Sequence, residues 1–484
     1  MSGHPRLPGE SVAVERNTVV IVTMAILVAL GLGILSSINP VLALAGLAAL
    51  VIAPAAVLRP KVIPYLLVFT IFAEAMTVGG VSVGRLAAPL AFIGLVSHLS
   101  RAPARLRGAT LTLRLICGYL FLAAASLLWT VSVGATLNAL ASLGISLTYL
   151  AAFAVLIRTP RDVRRLLWAV AAASVALGWL WITQFASGVD RRFNTAGDPN
   201  FFAAFQIIAV PLILVLLTSE KSLGRRMVLY ASIAIVADSI ISTLSRGGLI
   251  VLAVIVVLIT LTPSRFFFRS SREKLAFLTA ALVGLALVAP FAAGALSHRF
   301  EVGLSSPNVA GGRSDLWAAA LHGYRQHPLT GIGLGGFKAT SFQLLRTTSG
   351  VNLISHARFA AREGEFVHNA YLGSLVELGP AGLALFVGIL LATAGALRNS
   401  ARRARAVGDR FLRSVSNALM VSLVAMALSS LLLSTETSRG LWFIVGLALA
   451  MPGLVPAVRE EPLQTPSPTQ APRTRIRSWN WDTV

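Results

Sequence analysis

Charge is what this sequence has least of. Only 12% of its 484 residues are Asp, Glu, Lys or Arg, while 56% are hydrophobic. A soluble globular chain carries about 25% charged residues. The shortfall, with a mean hydropathy of +0.78, excludes a chain that keeps most of its surface in water. Acids are scarcer than bases, 19 against 41, and lysine is confined to Lys61, Lys221, Lys274 and Lys338. One cysteine, Cys117, excludes an internal disulfide. It stands in an apolar run and reads as a small packing residue. The stretch 1–17 has no short apolar core followed by a small-residue cleavage site, and the run Thr18 to Leu35 is long enough to stay in a membrane. No HExxH, no comparable ligand spacing and no Gly-Lys-Ser/Thr phosphate loop occurs. No metal and no cofactor are therefore expected.

Apolar runs of membrane-crossing length are present throughout. A helix needs about 20 largely apolar residues to cross the hydrocarbon core. The runs place helices at 18–36, 41–58, 62–79, 86–99, 112–129, 135–157, 165–187, 200–218, 226–243, 247–262, 275–297, 380–397, 414–433 and 440–457. The expected fold class is all-α, a polytopic transmembrane bundle of about 12–14 helices with one long extracytoplasmic loop. Residues 1–17 and 458–484 read as cytoplasmic tails, the second rich in Pro, Thr, Ser and Gln. Residues 18–297 and 380–457 hold the helices, and 298–379 form the loop.

The formal charge of +22 could suggest nucleic acid. Its distribution argues against that partner, because the bases sit in short segments between apolar runs. Most fall on one side, including Arg101/Arg105/Arg107/Arg114, Arg158/Arg161/Arg164/Arg165 and Arg402/Arg403/Arg405. Basic residues favour the cytoplasmic side, so both termini are expected there. Outside the long loop, the other side holds Arg85, Arg191, Arg192, Arg246 and Arg439. Arg191, Arg192 and Arg246 break the charge rule. They either reach lipid headgroups or form an anion site, for which the planar guanidinium fork is suited.

In the loop, Leu316, Trp317, Ala320, Leu321 and Tyr324 recur at helical spacing and predict a helix of about three turns, stopped by Pro328. Gly331, Gly333, Gly335 and Gly336 read as a tight turn with exposed backbone. His368-Asn369 opens a helical run that Gly379-Pro380 interrupts, which predicts a short outer helix over 368–378 and a membrane helix from 380. Of the histidines, His298, His322, His327, His356 and His368 fall on the outer side. His368 is either a residue at a helix start or a general base facing the anion site. The outer acids show no obvious pair of the kind glycoside hydrolysis uses. Glu74 and Asp238 are the main ionisable groups expected within helices.

Four segments carry a resemblance: Arg191 to Asn200 (RRFNTAGDPN), Ser245-Arg246-Gly247-Gly248, Gly312 to Phe337 (GRSDLW with HPLTGIGLGGF) and His368 to Gly379 (HNAYLGSLVELG). The chain resembles the O-antigen ligase and O-antigen polymerase superfamily, which includes bacterial protein O-oligosaccharyltransferases. The resemblance covers about 180 to 382. It implies a GT-C-like enzyme of the bacterial cytoplasmic membrane with its active site at the outer face. Such an enzyme takes a glycan from undecaprenyl diphosphate and transfers it, with inversion and without a metal, to a hydroxyl of an acceptor glycan, lipid or protein. His368 falls on the proposed base, and Arg191, with Arg192 adjacent, and Arg246 fall on the proposed diphosphate ligands. Arg313 and Asp315 match a loop pattern read as structural. Asn200, Asn369 and Glu377 are supporting positions. Asn194 stands where many members have Gly, which leaves Arg191 against Arg192 open. A surface-polysaccharide polymerase or ligase is the expected function. A protein O-oligosaccharyltransferase is one alternative. A transporter of the same lipid-linked sugar is the other, and it would carry its ionisable groups near the bilayer midplane.

Overall fold

A computed structural model of the chain describes residues 58–74, 76–78, 81–101, 110–189, 198–263, 267–268, 270–275, 277–279, 294, 312–351 and 364–456. The helices expected at 18–36 and 41–58, most of the one at 275–297, both tails, and Arg191 and Arg192 lie outside those residues.

The described chain is built from helices. They are α1 (Ile63–Phe72), α2 (Val83–Arg101), α3 (Thr110–Ala125), α4 (Val133–Leu156), α5 (Pro160–Ala186), α6 (Pro199–Ser219), α7 (Leu223–Ser242) and α8 (Arg246–Leu261). After these come α9 (Arg313–Gln326), α10 (Gly336–Thr347), α11 (Ala370–Ala406), α12 (Arg410–Ser429) and α13 (Arg439–Leu454). Among the described residues seven helices are long and apolar enough to cross a membrane, and this is an all-α, multi-pass membrane protein. α6 is the hub: almost every residue along it is buried. A helix apolar on every side must be enclosed by others. α5, α7 and α12 pack around it, α13 lies along α4, and α11 packs against α3 and α12.

Local chemistry sets where the helices begin. Thr159 and Asp162 close a capping box on α5, with Pro160 at its first position. α5 therefore starts five residues before the apolar run, and Arg161, Arg164 and Arg165 lie in its first turns. α11 likewise runs on to Ala406, past the expected end at 397, carrying Arg402, Arg403 and Arg405 as a helical extension. The helix expected over 62–79 ends at Phe72. An antiparallel hairpin, β1 (Thr77–Val78) and β2 (Val81–Ser82), follows it. β-Branched residues on both sides of Gly79-Gly80 are a hairpin signal that outweighs the apolar run. Glu74 thus lies at a helix end, not inside a span. Cys117 is exposed on α3, on the outside of the bundle, and is not a core packing residue.

The break at Gly379-Pro380 is present. Gly379 has φ 68°, and a Cβ there would sit 2.2 Å from the carbonyl oxygen of Leu329. The short helix before it packs on α9 and α10. α9 buries Leu316, Ala319, Ala320 and Gly323, while Leu321 is 41% exposed. The stripe thus lies on a different edge from the expected one. Small residues at 319 and 323 let Leu344 and Val376 approach closely; both lie within 3.5 Å of a Cβ built on Gly323.

Candidate active site

At one end of the bundle several helices begin, and their caps are linked. Asp198 caps α6, its Oδ1 accepting from the backbone N of Asn200 at 2.9 Å and of Phe201 at 3.0 Å. Ser245 caps α8, its Oγ accepting from the Gly248 N at 3.1 Å and donating to Asn200 Oδ1 at 2.8 Å. Asn200 thereby ties two helix starts together, and Arg246 occupies the first position of α8. The glycines after it are needed for contact: a Cβ on Gly247 would lie 2.6 Å from Leu432, and one on Gly248 2.8 Å from Ala203.

His368 is fixed from both sides. The Val367 carbonyl accepts from Trp317 Nε1 at 3.1 Å. Asn369 caps α11, accepting from the N of Tyr371 and of Leu372, each at 3.0 Å. The Ala370 N donates to the Ser430 carbonyl at 2.8 Å. His368 itself has φ 53°. The left-handed region is uncommon for a residue with a Cβ. Leu244, just before the α8 cap, is the other non-glycine residue with positive φ among the described residues. Backbone strain of this kind clusters at functional sites.

The charges converge as well. Burial is the main cause that lowers the His368 pKa below its ordinary value; the Arg313 charge lowers it further and Asp198 opposes both. Burial also lowers Arg313, which feels Asp198 and Arg246. Four groups from four segments, Asp198, Arg246, Arg313 and His368, thus lie within electrostatic reach of one another. Arg313, read from sequence as structural, joins the cluster from the first turn of α9. His368 Nδ1 is buried and has no hydrogen-bond partner among the described residues. A neutral imidazole with an unengaged nitrogen can accept a proton, and helix N-termini with two guanidinium groups can hold an anion.

Glu377 does different work. Its Oε1 accepts from the Phe337 N at 3.3 Å and it takes a backbone hydrogen bond from Gly335, so it caps α10. The glycine turn wraps the same residue. The N of Ile332 donates to the Val376 carbonyl and that of Gly333 to the Glu377 carbonyl. Gly331, Gly333 and Gly335 all have positive φ, and a Cβ on Gly331 would meet the Glu377 backbone at 2.5 Å. The turn also binds the α3–α4 connection, through Trp129 Nε1 to the Thr330 carbonyl and the Val131 N to the Ile332 carbonyl. Asp315 is buried on α9. The acids expected on the outer side do contain one neighbouring pair: burial, helped by the charge of Glu377, pushes Glu436 up to about 8.

Other candidates stay apart. His322 Nε2 meets Gln326 on an exposed face. His298 and His356 lie outside the described residues. Among the described residues, no three of His, Cys, Asp and Glu converge as a metal site requires. Sequence reading gave Asp198 no role, although Asp-Pro-Asn before an apolar run is a helix-start signal. The pairing of Glu74 with Arg439 (3.8 Å) had no local signal.

Fold and site together define a multi-pass membrane protein with a polar, arginine-rich centre at one end of its bundle. Residues 231–387, about a third of the chain, match the family model described as O-antigen ligase. The match supports the chain's place in the O-antigen ligase and polymerase superfamily, and it points to a glycosyl-transferring enzyme. Arg246, Arg313, His368 and Glu377 fall inside the matched span, while Asp198 and Asn200 lie upstream. No curated protein matches the chain.

Proposed function

We propose that the protein transfers a glycan from a lipid diphosphate, of the undecaprenyl diphosphate kind, to a hydroxyl of a surface glycan or lipid. The observation that carries this reading is the juxtaposition of a buried, neutral-favouring His368 with Arg246 and Arg313, each at the first position of a helix. His368 takes the proton of the acceptor hydroxyl as its oxygen attacks the anomeric carbon. The carbon–oxygen bond to the diphosphate breaks, and the electron pair leaves with the phosphate. Arg246, Arg313 and the helix N-termini stabilise that developing charge. Arg191 and Arg192 enter just ahead of Asp198 in sequence and are proposed as further ligands of the diphosphate. Attack opposite the leaving group inverts the anomeric carbon.

In this reading the end of the bundle that carries the 298–379 loop faces outward across the bacterial cytoplasmic membrane. The opposite end holds the basic segments, including Arg164 and Arg225 paired with Glu220 at 3.0 and 3.4 Å. That asymmetry supports an orientation with both termini inside. The test uses the full chain in vesicles with a lipid-diphosphate-linked glycan. His368→Ala should abolish transfer while undecaprenyl diphosphate still binds, and Arg246→Ala should weaken that binding. Transfer that survives His368→Ala rules out the base assignment.

A further inference from the structure

A cavity of about 390 Å³ adjoins the site and is used by none of the steps above. That volume lies within the range of about 300–1,000 Å³ typical of small-ligand pockets. It runs between the end of α1, the start of α2, the middle of α4, the start of α6 and the α12–α13 connection. On its wall are Asp198, whose charge acts on His368, and Phe366, two residues before His368; His368 itself is not on the wall. Arg246 and Arg313 are not on its wall, so it is separate from the proposed diphosphate ligands.

The walls are of two kinds. Phe201, Phe202 and Phe366 present aromatic surface. Opposite in character are the hydroxyls of Ser142, Ser434 and Ser438 and the ion pair of Glu74 with Arg439. Ser438 is buried beside the Glu74 carboxylate, and Arg439 Nη1 is buried without closing a hydrogen bond with the protein among the described residues. A buried polar atom left unpaired costs about 1–3 kcal/mol, so such atoms await a partner. A polyprenyl chain offers none. A pyranose offers both surfaces needed, a C–H face for the rings and hydroxyls for the ion pair and the serines. The wall carries two acids, Glu74 and Asp198, and two bases, Arg85 and Arg439, and this balance favours a neutral sugar over an acidic one.

We infer that this cavity is the acceptor subsite and holds a neutral pyranose residue whose free hydroxyl points to His368. The assignment to the acceptor rests on the reaction proposed above; sugar binding itself does not. Glu74, Ser438 and Arg439 select the sugar by hydrogen bonding, and Phe201 and Phe366 hold its face.

Saturation-transfer NMR on the full chain in nanodiscs tests this. The probes are the methyl glycosides of glucose, galactose, mannose, rhamnose and N-acetylglucosamine, with methyl glucuronide as the acidic comparison. Binding of undecaprenyl diphosphate is measured in parallel. Ser142→Leu and Ser434→Leu fill the cavity at half-buried positions and should melt as the parent does; Glu74→Gln keeps the shape but weakens the ion pair. At least one neutral glycoside should receive saturation, and its affinity should fall about ten-fold or more in either filling variant, a loss of about 1.4 kcal/mol. It should also fall in Glu74→Gln, with undecaprenyl diphosphate binding unchanged. No saturation of any neutral glycoside, an equal signal in both filling variants, or a preference for the glucuronide overturns the inference. Loss of undecaprenyl diphosphate binding in the filling variants also overturns it, because the cavity then holds the lipid. A parent protein that binds a glycoside but not undecaprenyl diphosphate keeps the sugar site and removes the transfer reaction.

Discussion

Asn369→Ala should slow transfer without touching substrate. Asn369 accepts two backbone hydrogen bonds at the start of α11, and the residue before it, His368, is held at φ 53°. Replacing such a cap by Ala costs about 0.5–2 kcal/mol. The left-handed conformation costs a residue with a Cβ about 1–2 kcal/mol. The two are comparable, so without the cap His368 can relax toward an ordinary conformation and its ring leaves the site. The anchors at Val367 and Ala370 keep the chain in place on either side, so the fold should persist. If the cap energy passes to the reactive geometry, kcat falls about 2- to 30-fold, with the donor KM little changed. Asn369→Ser restores a capping oxygen and should restore most of kcat. The assay is steady-state transfer in vesicles at saturating donor. Equal losses in the Ser and Ala variants would mean that the amide contacts substrate. No loss in either would mean that the cap does not position the base, and the reasoning would be refuted.

Other outcomes follow from the same structure. Arg313→Gln removes a charge that lowers the His368 pKa, so that pKa rises and the acid limb of the kcat profile moves to higher pH. The shift is partial because burial, the larger cause, remains, and an unmoved limb would place Arg313 elsewhere. Glu436 is raised to about 8 in the fold, against about 4.3 in a solvated chain. The folded state therefore binds the extra proton, and stability falls as pH rises from about 4.3 through about 8. Thermal melting should show Glu436→Gln gaining on the parent across that window, and a constant difference would contradict it. Gly331→Ala should destabilise by about 2–5 kcal/mol, from left-handed strain and from overpacking on Glu377. Gly144→Ala, on α4 with open space around it, should instead stabilise by about 0.5–1 kcal/mol. Differential scanning fluorimetry compares the two, and a similar shift in both would refute the packing argument.

The helical, membrane-spanning architecture was legible in the sequence because it depends on local properties. Apolar runs of bilayer length fix spans, and the Gly379-Pro380 break, the Asn369 start and the glycine turn each follow from backbone limits of their own residues. Misreadings came where a longer-range partner or a polar extension outweighed the apolar run. Glu74 lies at the end of a helix that gives way to a hairpin and reaches Arg439, 365 residues away. α5 and α11 continue beyond their apolar runs because Arg forms helix well in water. The candidate site was half legible. His368 and Arg246 stood out as polar residues with no reason to lie among apolar runs. Arg313 entered the cluster only through packing of α9 on the short helix of α11, and Asp198 only through the cap that aims α6 there. The sequence by itself therefore determined that the chain crosses the membrane many times and carries a long loop. Only the tertiary structure decided which loop charges meet, because charges from four distant segments act on one another once packing has brought their helix starts together.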